Sequence, residues 1–373
     1  MGAPGKMQPI EVLVVDDSAL VRQAMTMLLS RSRQFNVRVA NDPMIGERKI
    51  LELAPDVILL DLEMPGMDGL TFLRRLNATN PIPVVVCSSL ATAGSDTAMR
   101  ALEEGALDVI EKPKLGVKEF LEESIVQISD SLVAAAGARV PRPRRPALPE
   151  LPDVAPRNTA DHILPARAPR LGVTTDKVVA IGASTGGTEA LRALLRQMPP
   201  DCPGIVVVQH MPEVFTAAFA KRLNEVCAIE VKEAQNGDRV SAGRALIAPG
   251  NHHMLLRRSG AQYLIDIVSG PLVSRHRPSV DVLFRSAAQA AATNAIGVIM
   301  TGMGDDGAAG MAEMKAAGSY NIAQDEESCV VFGMPKEAIE AGAVHEIVPL
   351  PRLAHSILRQ ASGTGVVARQ VSR

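Results

Sequence analysis

Val178-Val179-Ala180-Ile181-Gly182-Ala183-Ser184-Thr185-Gly186-Gly187 is an apolar run that ends in a hydroxyl set among small residues. Two further runs end in a comparable way. Ile205-Val206-Val207-Val208 leads into Gln209-His210, and Ile296-Gly297-Val298-Ile299-Met300 leads into Thr301-Gly302-Met303-Gly304-Asp305-Asp306-Gly307. Short continuous apolar runs bounded by turn residues read as strands buried on both faces, as in a parallel sheet. Ligands of such sheets bind beyond the carboxyl ends of the strands. A hydroxyl, an imidazole and a carboxylate at three such ends can converge into a nucleophilic triad.

Gly182-x-Ser184-x-Gly186 has the spacing of a nucleophile elbow, in which small neighbours let a serine stand exposed on a tight strand-to-helix turn. A helix expected from about Gly187 to Gln197 would aim its first amides at the serine, where an oxyanion can be held. The competing reading is a dinucleotide-binding loop, since Gly182, Ser184 and Gly187 occupy the glycine positions of that motif. Its middle glycine is a serine here, and Gln209-His210 ends the next strand where a ribose-binding acid should stand. An imidazole beside an exposed serine suits general-base work, its unperturbed pKa lying near 6.5. Asp305 or Asp306 can hold the imidazole's other N–H, although either could simply cap a helix over 307–317.

The first half alternates in the same manner. Val12-Leu13-Val14-Val15 precedes a helical stretch from Ser18 to Ser30, and Val57-Ile58-Leu59-Leu60 precedes a helix from about Leu70. Val84-Val85-Val86 and Val109-Ile110 complete the strong strand signals. This alternation predicts a flavodoxin-like, doubly wound α/β domain. Asp16 and Asp17 end the first run and Asp61 the second, so three carboxylates gather at the switch point. Oxygen ligands of that kind suit Mg²⁺. Ser88 and Lys112 end the later strands and bring a hydroxyl and a positive charge to the same place.

That constellation resembles a response-regulator receiver domain over about residues 10–130. The resemblance implies that Asp61 accepts a phosphoryl group, that Asp16, Asp17 and Asp61 hold Mg²⁺, and that Ser88 and Lys112 support the phosphorylated state. Receivers often carry an aromatic residue three positions before the lysine, where this chain has Val109. A movement of the Ser88–Ala91 loop is the relay expected instead.

Nearly the whole chain, as receiver, linker and catalytic half, resembles the chemotaxis protein-glutamate methylesterase (CheB) family. The likeness rests on the three motifs quoted above, on Gln209-His210-Met211-Pro212, and on Ala323-Gln324-Asp325-Glu326 and Cys329-Val330-Val331-Phe332-Gly333-Met334-Pro335. It implies Ser184 as nucleophile, His210 as base and Asp306 rather than Asp305 as the orienting acid. It also implies Thr185 and the Met303 amide as oxyanion donors. The implied substrate is a glutamate γ-methyl ester on chemoreceptor cytoplasmic helices, hydrolysed to glutamate and methanol, with glutamine deamidation as a second activity. The implied partners are those receptors and the histidine kinase of a chemotaxis-type pathway, and the esterase site needs no cofactor. Arg275, His276, Arg277 and Asp281 are expected along a substrate groove or in a solvated loop. His252 and His253 are read as structural or substrate-facing, not as metal ligands.

Between Pro141 and Arg170 periodicity disappears, and eight of those thirty residues are proline. Such a stretch cannot bury a core and reads as a solvated tether. The expected division is a receiver over 8–132, a Pro/Arg-rich linker over 133–174, a methylesterase domain with a mainly parallel sheet over 175–362, and a tail over 363–373. Residues 245–248 and 263–267 are expected to form an antiparallel excursion. A receiver lying over the Ser184 groove until Asp61 is phosphorylated is the regulation this order suggests.

At 47% apolar and 21% charged residues, with a net charge of −2, the 373-residue chain reads as an ordinary globular protein. Nothing in that balance calls for nucleic acid or a membrane surface. The four cysteines (Cys87, Cys202, Cys227, Cys329) show no CxxC spacing, so reduced thiols are expected. Neither a signal-peptide pattern nor an apolar run of membrane-spanning length is visible, and a cytoplasmic location is the expectation. Three rival functions fit the same residues less well. A transcription regulator lacks its basic recognition helix after the linker, and a nucleotide-dependent oxidoreductase lacks its ribose partner. An idle receptor-binding adaptor would have no use for three triad residues.

Overall fold

Alternating strands and helices fill residues 10–136: β1 (Ile10–Val15), α1 (Ala19–Leu29), β2 (Phe35–Ala40), α2 (Pro43–Glu52), β3 (Val57–Asp61), α3 (Gly69–Thr79), β4 (Val84–Ser88), α4 (Thr92–Glu103), β5 (Asp108–Glu111) and α5 (Lys118–Ala136). The computed structural model describes residues 8–88, 92–112, 118–138, 158–168 and 176–362. The five strands form one parallel sheet in the order β2-β1-β3-β4-β5, as flavodoxin-like winding requires. Local chemistry starts the helices. Ser18, Asp42 and Asp68 each accept an amide three residues on, from Val21, Ile45 and Thr71.

β2 did not stand out in the sequence. Asn36 and Arg38 interrupt its apolar residues, because an edge strand is covered less completely than the central ones. β3 and β4, in the middle, are buried at every position. The Ser88–Ala91 relay expected from the sequence runs into 89–91, which lie outside the described residues.

The second unit contains β6 (Val178–Ala183), α6 (Gly187–Leu195), β7 (Gly204–Gln209), the part of α7 (Glu213–Val226) from Phe219 onward, β8 (Glu230–Glu233), β9 (Arg239–Val240), β10 (Arg244–Ile247), β11 (His253–Ser259) and β12 (Gln262–Val268). It continues with α8 (Val280–Ala290), β13 (Ala295–Ile299), α9 (Ala308–Ala316), β14 (Tyr320–Gln324), α10 (Met334–Glu340), β15 (Glu346–Val348) and α11 (Leu350–Ala361). A seven-stranded sheet runs β15-β14-β13-β6-β7-β10-β8, and every pairing in it is parallel. The chain leaves β6 toward β7 on one side and returns to β13 on the other, so the switch point falls between β6 and β13. The core is aliphatic, with Val178, Ala180, Val206, Val208 and Ile299 of the sheet packed with Leu283, Met311 and Met314 of α8 and α9.

Two expectations need correcting. Residues 245–248 do not belong to an antiparallel excursion, because β10 joins the parallel sheet between β7 and β8. The excursion is built from β11, β12 and β9 in a separate three-stranded sheet. The run 245–248 is buried on both sides, and burial alone does not reveal which strand lies next to it.

The linker is also shorter than its composition suggests. α5 continues to Ala136, and residues 158–168 are fastened to the second unit. Ala160 packs with Leu255, Val273 and Val282, joined by Ile163 and Leu164. The Arg285 guanidinium donates to Asp161 Oδ1 at 2.8 Å and to the Leu164 carbonyl at 3.0 Å. Asn158 Nδ2 donates to the Leu272 carbonyl at 3.0 Å, and Ser274 N donates to the Asn158 carbonyl at 3.0 Å. Three apolar side chains among many prolines are enough for a local anchor. Residues 139–157, 169–175 and 363–373 lie outside the described residues.

Packing explains Gly182, which ends the apolar part of β6. A Cβ there would lie 2.2 Å from Val280 Cγ1, at the start of α8. Gly182→Ala is expected to lower stability in urea unfolding by about 1–3 kcal/mol through overpacking. Combining it with Val280→Ala should cost less than the sum of the two single changes, since the shortened side chain vacates the contested space.

Candidate functional site

Register places the reactive groups before any side chain is considered. β6 pairs with β7 so that Ala183 lies opposite Gln209, and with β13 so that Gly182 lies opposite Ile299. Ser184 and His210 are therefore the next residues on adjacent strands, tied by the His210 amide donating to the Ala183 carbonyl at 3.1 Å. On the other side, Ser184 N donates to the Thr301 carbonyl at 3.0 Å. The three sequence-predicted residues thus come from the ends of three neighbouring strands.

The turn at Ser184 needs its glycines. Gly186 has φ +75°, and a Cβ on Gly187 would lie 2.1 Å from Gln209 Oε1. Gln209, which sequence reasoning passed over, is buried, and its Nε2 donates to the carbonyls of both Ser184 (2.9 Å) and His210 (3.1 Å). The Thr301–Gly304 loop closes over the serine. A Cβ on Gly302 would come within 2.8 Å of Ser184 Cβ. The backbone amides of Thr185 and Met303 make no hydrogen bond to another described residue.

His210 Nε2 lies 2.8 Å from Asp306 Oδ2. Asp306 is buried and takes three further donors: Ser279 Oγ at 2.8 Å, Val280 N at 2.8 Å and Asp281 N at 2.9 Å. An ionised carboxylate has about four acceptor positions, so all are occupied. Burial pushes the Asp306 carboxyl up from its ordinary range, and these bonds pull against it. Burial pushes the His210 imidazole down, favouring the neutral ring. With Nε2–H donated to Asp306, Nδ1 keeps a lone pair. That atom is buried and has no hydrogen-bond partner among the described residues, and neither does the Ser184 hydroxyl. Of the two adjacent acids, Asp306 is the one bonded to His210; α9 begins at Ala308, with Gly307 as its N-cap residue.

Of the residues expected along a substrate groove or in a solvated loop, Arg275, His276 and Arg277 lie in the connection between β12 and α8, whereas Asp281 falls inside α8 and is buried. His276 stacks on His210, with ring centroids 3.7 Å apart and planes 12° from parallel. Arg277 is spent on Asn251 Oδ1 and the Gly270 carbonyl. Asp281 is buried and accepts from Gly307 N, Gly310 N and Ser274 Oγ. Burial, then the neighbouring Asp306 charge, pushes its carboxyl up to about 7. Ser279-x-Asp281 ahead of an apolar run is a helix-start signature, and that signal could have placed Asp281 inside the fold. His253 is fully buried, its Nε2 facing the Pro271 carbonyl at 2.9 Å and its Nδ1 accepting from Ser279 N at 3.3 Å. It is structural, which is one of the two roles expected for it.

In the first unit, Asp16, Asp17 and Asp61 bring one carboxylate oxygen each within 4.8 Å of one another. Lys112 Nζ lies 2.7 Å from Asp61 Oδ2 and 3.1 Å from Asp16 Oδ2. Burial pushes the Asp61 carboxyl up, with the Lys112 ammonium opposing. Burial works to lower the Lys112 pKa, but the Asp61 and Asp16 carboxylates outweigh it. The Ser88 hydroxyl, at the end of the adjoining strand, is buried with no partner among the described residues. Val109 is buried, in keeping with a site that lacks the aromatic relay. Clustered oxygens of like charge, a lysine and an orphaned hydroxyl fit a hard divalent cation together with a phosphoryl group.

A parallel α/β unit with an acid–lysine pocket, followed by one with a serine and a histidine–carboxylate pair at its switch point, defines a receiver-coupled hydrolase. The chain matches the family model "Response regulator receiver domain" over residues 12–122 and "CheB methylesterase" over residues 179–357. It is 58% identical to "Protein-glutamate methylesterase/protein-glutamine glutaminase 5" of Anaeromyxobacter dehalogenans (strain 2CP-C), covering 94% of this chain and 97% of that one. A Geobacter metallireducens protein with the same description, numbered 3, is 56% identical over 95% of this chain and 99% of its own. The Thermotoga maritima CheB methylesterase catalytic domain aligns with 49% of this chain and 98% of its own at 38% identity, with a TM-score of 0.48. The chain belongs to the CheB family of receiver-bearing protein-glutamate methylesterases. No helix among the described residues is long and apolar enough to cross a membrane.

Burial lowers the His253 pKa in the folded protein, against the pull of the Pro271 carbonyl. The unfolded chain therefore binds a proton at His253 below about pH 6.5 that the fold resists. Stability from this residue is present above that pH and declines as pH falls, by at most about 1.4 kcal/mol per pH unit. Urea unfolding at pH 7 and pH 5 should show a smaller loss for His253→Gln than for the unsubstituted chain.

Proposed function

We propose that this family member hydrolyses glutamate γ-methyl esters on chemoreceptor cytoplasmic helices, with Ser184, His210 and Asp306 as its triad. The reading rests on one observation: the 2.8 Å His210–Asp306 bond, which leaves Nδ1 without a partner on the strand end next to the one that carries Ser184. Ser184 Oγ attacks the ester carbonyl carbon as its proton passes to His210 Nδ1. Asp306 accepts from Nε2–H throughout and stabilises the imidazolium. Amides of Thr185 and Met303 receive the oxyanion. Collapse breaks the bond to the methoxy group, which takes the proton from Nδ1 and departs as methanol. Water, deprotonated by the same nitrogen, then releases the glutamate carboxylate and restores Ser184. The same steps on a glutamine side chain release ammonia, the second activity carried in the names of the relatives.

The receiver supplies control. A histidine kinase of a chemotaxis-type pathway passes a phosphoryl group to Asp61, and this raises the hydrolase rate. Asp16, Asp17 and Asp61 would hold Mg²⁺, which when bound neutralises charge on the transferring phosphoryl oxygens. Lys112 and Ser88 then meet the new oxygens, Lys112 exchanging its present bond to Asp61 for one to the phosphoryl group.

Methanol release from a methylated receptor fragment tests both parts. Ser184→Ala should reduce it at least about 10³-fold, and Asp306→Asn by a loss approaching about 10⁴-fold. Undiminished release by Ser184→Ala would remove the triad. A small-molecule phosphodonor with Mg²⁺ should accelerate the unsubstituted protein and leave Asp61→Asn unchanged. Chelation of divalent cations should abolish that acceleration while sparing the basal rate, because no metal is assigned to the esterase site.

A further inference from the structure

Helices α8 and α9 begin side by side, and neither is capped by the side chain of its own N-cap residue, Ser279 or Gly307. Each is capped instead by an acid from the start of the other. The first amides of α8, Val280 and Asp281, donate to Asp306 at 2.8 and 2.9 Å. Gly307 N, at the N-cap of α9, and Gly310 N in its first turn donate to Asp281 Oδ1 at 3.0 and 2.7 Å. The other Asp281 oxygen accepts from Ser274 Oγ at 2.9 Å. Two orphan helix ends and two buried carboxylates thus satisfy one another.

We infer that Asp281, seated by Ser274, is a positioning residue for the proposed reaction: by capping α9 it holds Asp306 at the distance His210 requires. The inference rests on the triad reading above. Asp281 makes no hydrogen bond with Ser184 or His210 among the described residues, so it acts through Asp306. The leverage is short. Gly307 directly follows Asp306, and with no side chain to restrain its φ of +103° the amide bond to Asp281 Oδ1 is what holds the peptide in place. Removing the Asp281 carboxylate leaves the Gly307 and Gly310 amides without an acceptor and frees the peptide between 306 and 307 to turn. A displacement of about 1 Å at a catalytic group can cost about 10²-fold in rate. Ser274 itself has φ +49° and donates its amide to the Asn158 carbonyl, so the clamp extends to the anchored segment at 158–168.

The test uses the full chain and the methylated receptor fragment, with active sites counted by a serine-directed fluorophosphonate. Asp281→Ala should lower kcat per titrated site about 10–100-fold, with KM within about twofold, because the defect lies in proton-transfer geometry and not in binding. Asp281→Asn keeps an oxygen for the two amides and should recover at least about tenfold over Asp281→Ala. The proposal is overturned if Asp281→Ala retains the unsubstituted kcat, if its loss appears in KM alone, or if Asp281→Asn falls as far as Asp281→Ala. Should Asp281→Ala fail to fold, Ser274→Ala decides: a kcat reduced about 3–10-fold at unchanged KM supports the clamp, and an unsubstituted kcat overturns it. Asp306→Asn is run alongside, and full activity there would defeat the triad reading itself.

Discussion

The second unit is organised around one buried carboxylate. Asp306 takes four hydrogen bonds, from an imidazole, a hydroxyl and two amides, and these come from two separate stretches of chain, both distant in sequence from its own. A buried anion with any acceptor position left empty is costly, so the loop after β13, the start of α8 and the end of β7 must all arrive together. That requirement constrains the neighbourhood: Gly182 makes room for Val280, His253 receives the Ser279 amide, and Asp281 secures the turn beyond Asp306.

The same constraint accounts for the state of the imidazole. Burial disfavours charge on His210, and the Asp306 contact fixes which nitrogen carries the proton. The free nitrogen is then Nδ1, and His276 stacked at 3.7 Å limits how the ring can rotate. Gln209 performs a parallel service for the backbone by tying the carbonyls of Ser184 and His210 to one nitrogen. In the first unit the order is reversed. Asp16, Asp17 and Asp61 crowd like charges together, and Lys112 is the neutralising group within the protein itself.

Most of the framework was legible because parallel strands are buried on both faces and read as unbroken apolar runs. Val178–Ile181, Ile205–Val208 and Ile296–Met300 became β6, β7 and β13, each carrying its reactive residue at or beyond its end. Edge and isolated strands were harder to place. β2 alternates polar with apolar residues, and the run around β10 looked no different from a strand of the small antiparallel sheet. By composition residues 158–168 read as tether, since proline and arginine outweigh Ala160, Ile163 and Leu164, although these three pack with Leu255 and Val282.

Residue order by itself determined the two α/β units, the acids and lysine at the strand ends of the first, and Ser184, His210 and an acid at 305–306 in the second. These follow from hydrophobic period and from glycine spacing, which are local properties of the chain. Residue spacing left Asp305 and Asp306 equivalent and only the family resemblance preferred Asp306; the tertiary structure pairs Asp306 with His210, since adjacent identical residues differ only in where the backbone aims them. Tertiary structure also placed Asp281, expected in a groove or a solvated loop, inside the fold, because burial is settled by elements that meet from distant parts of the sequence.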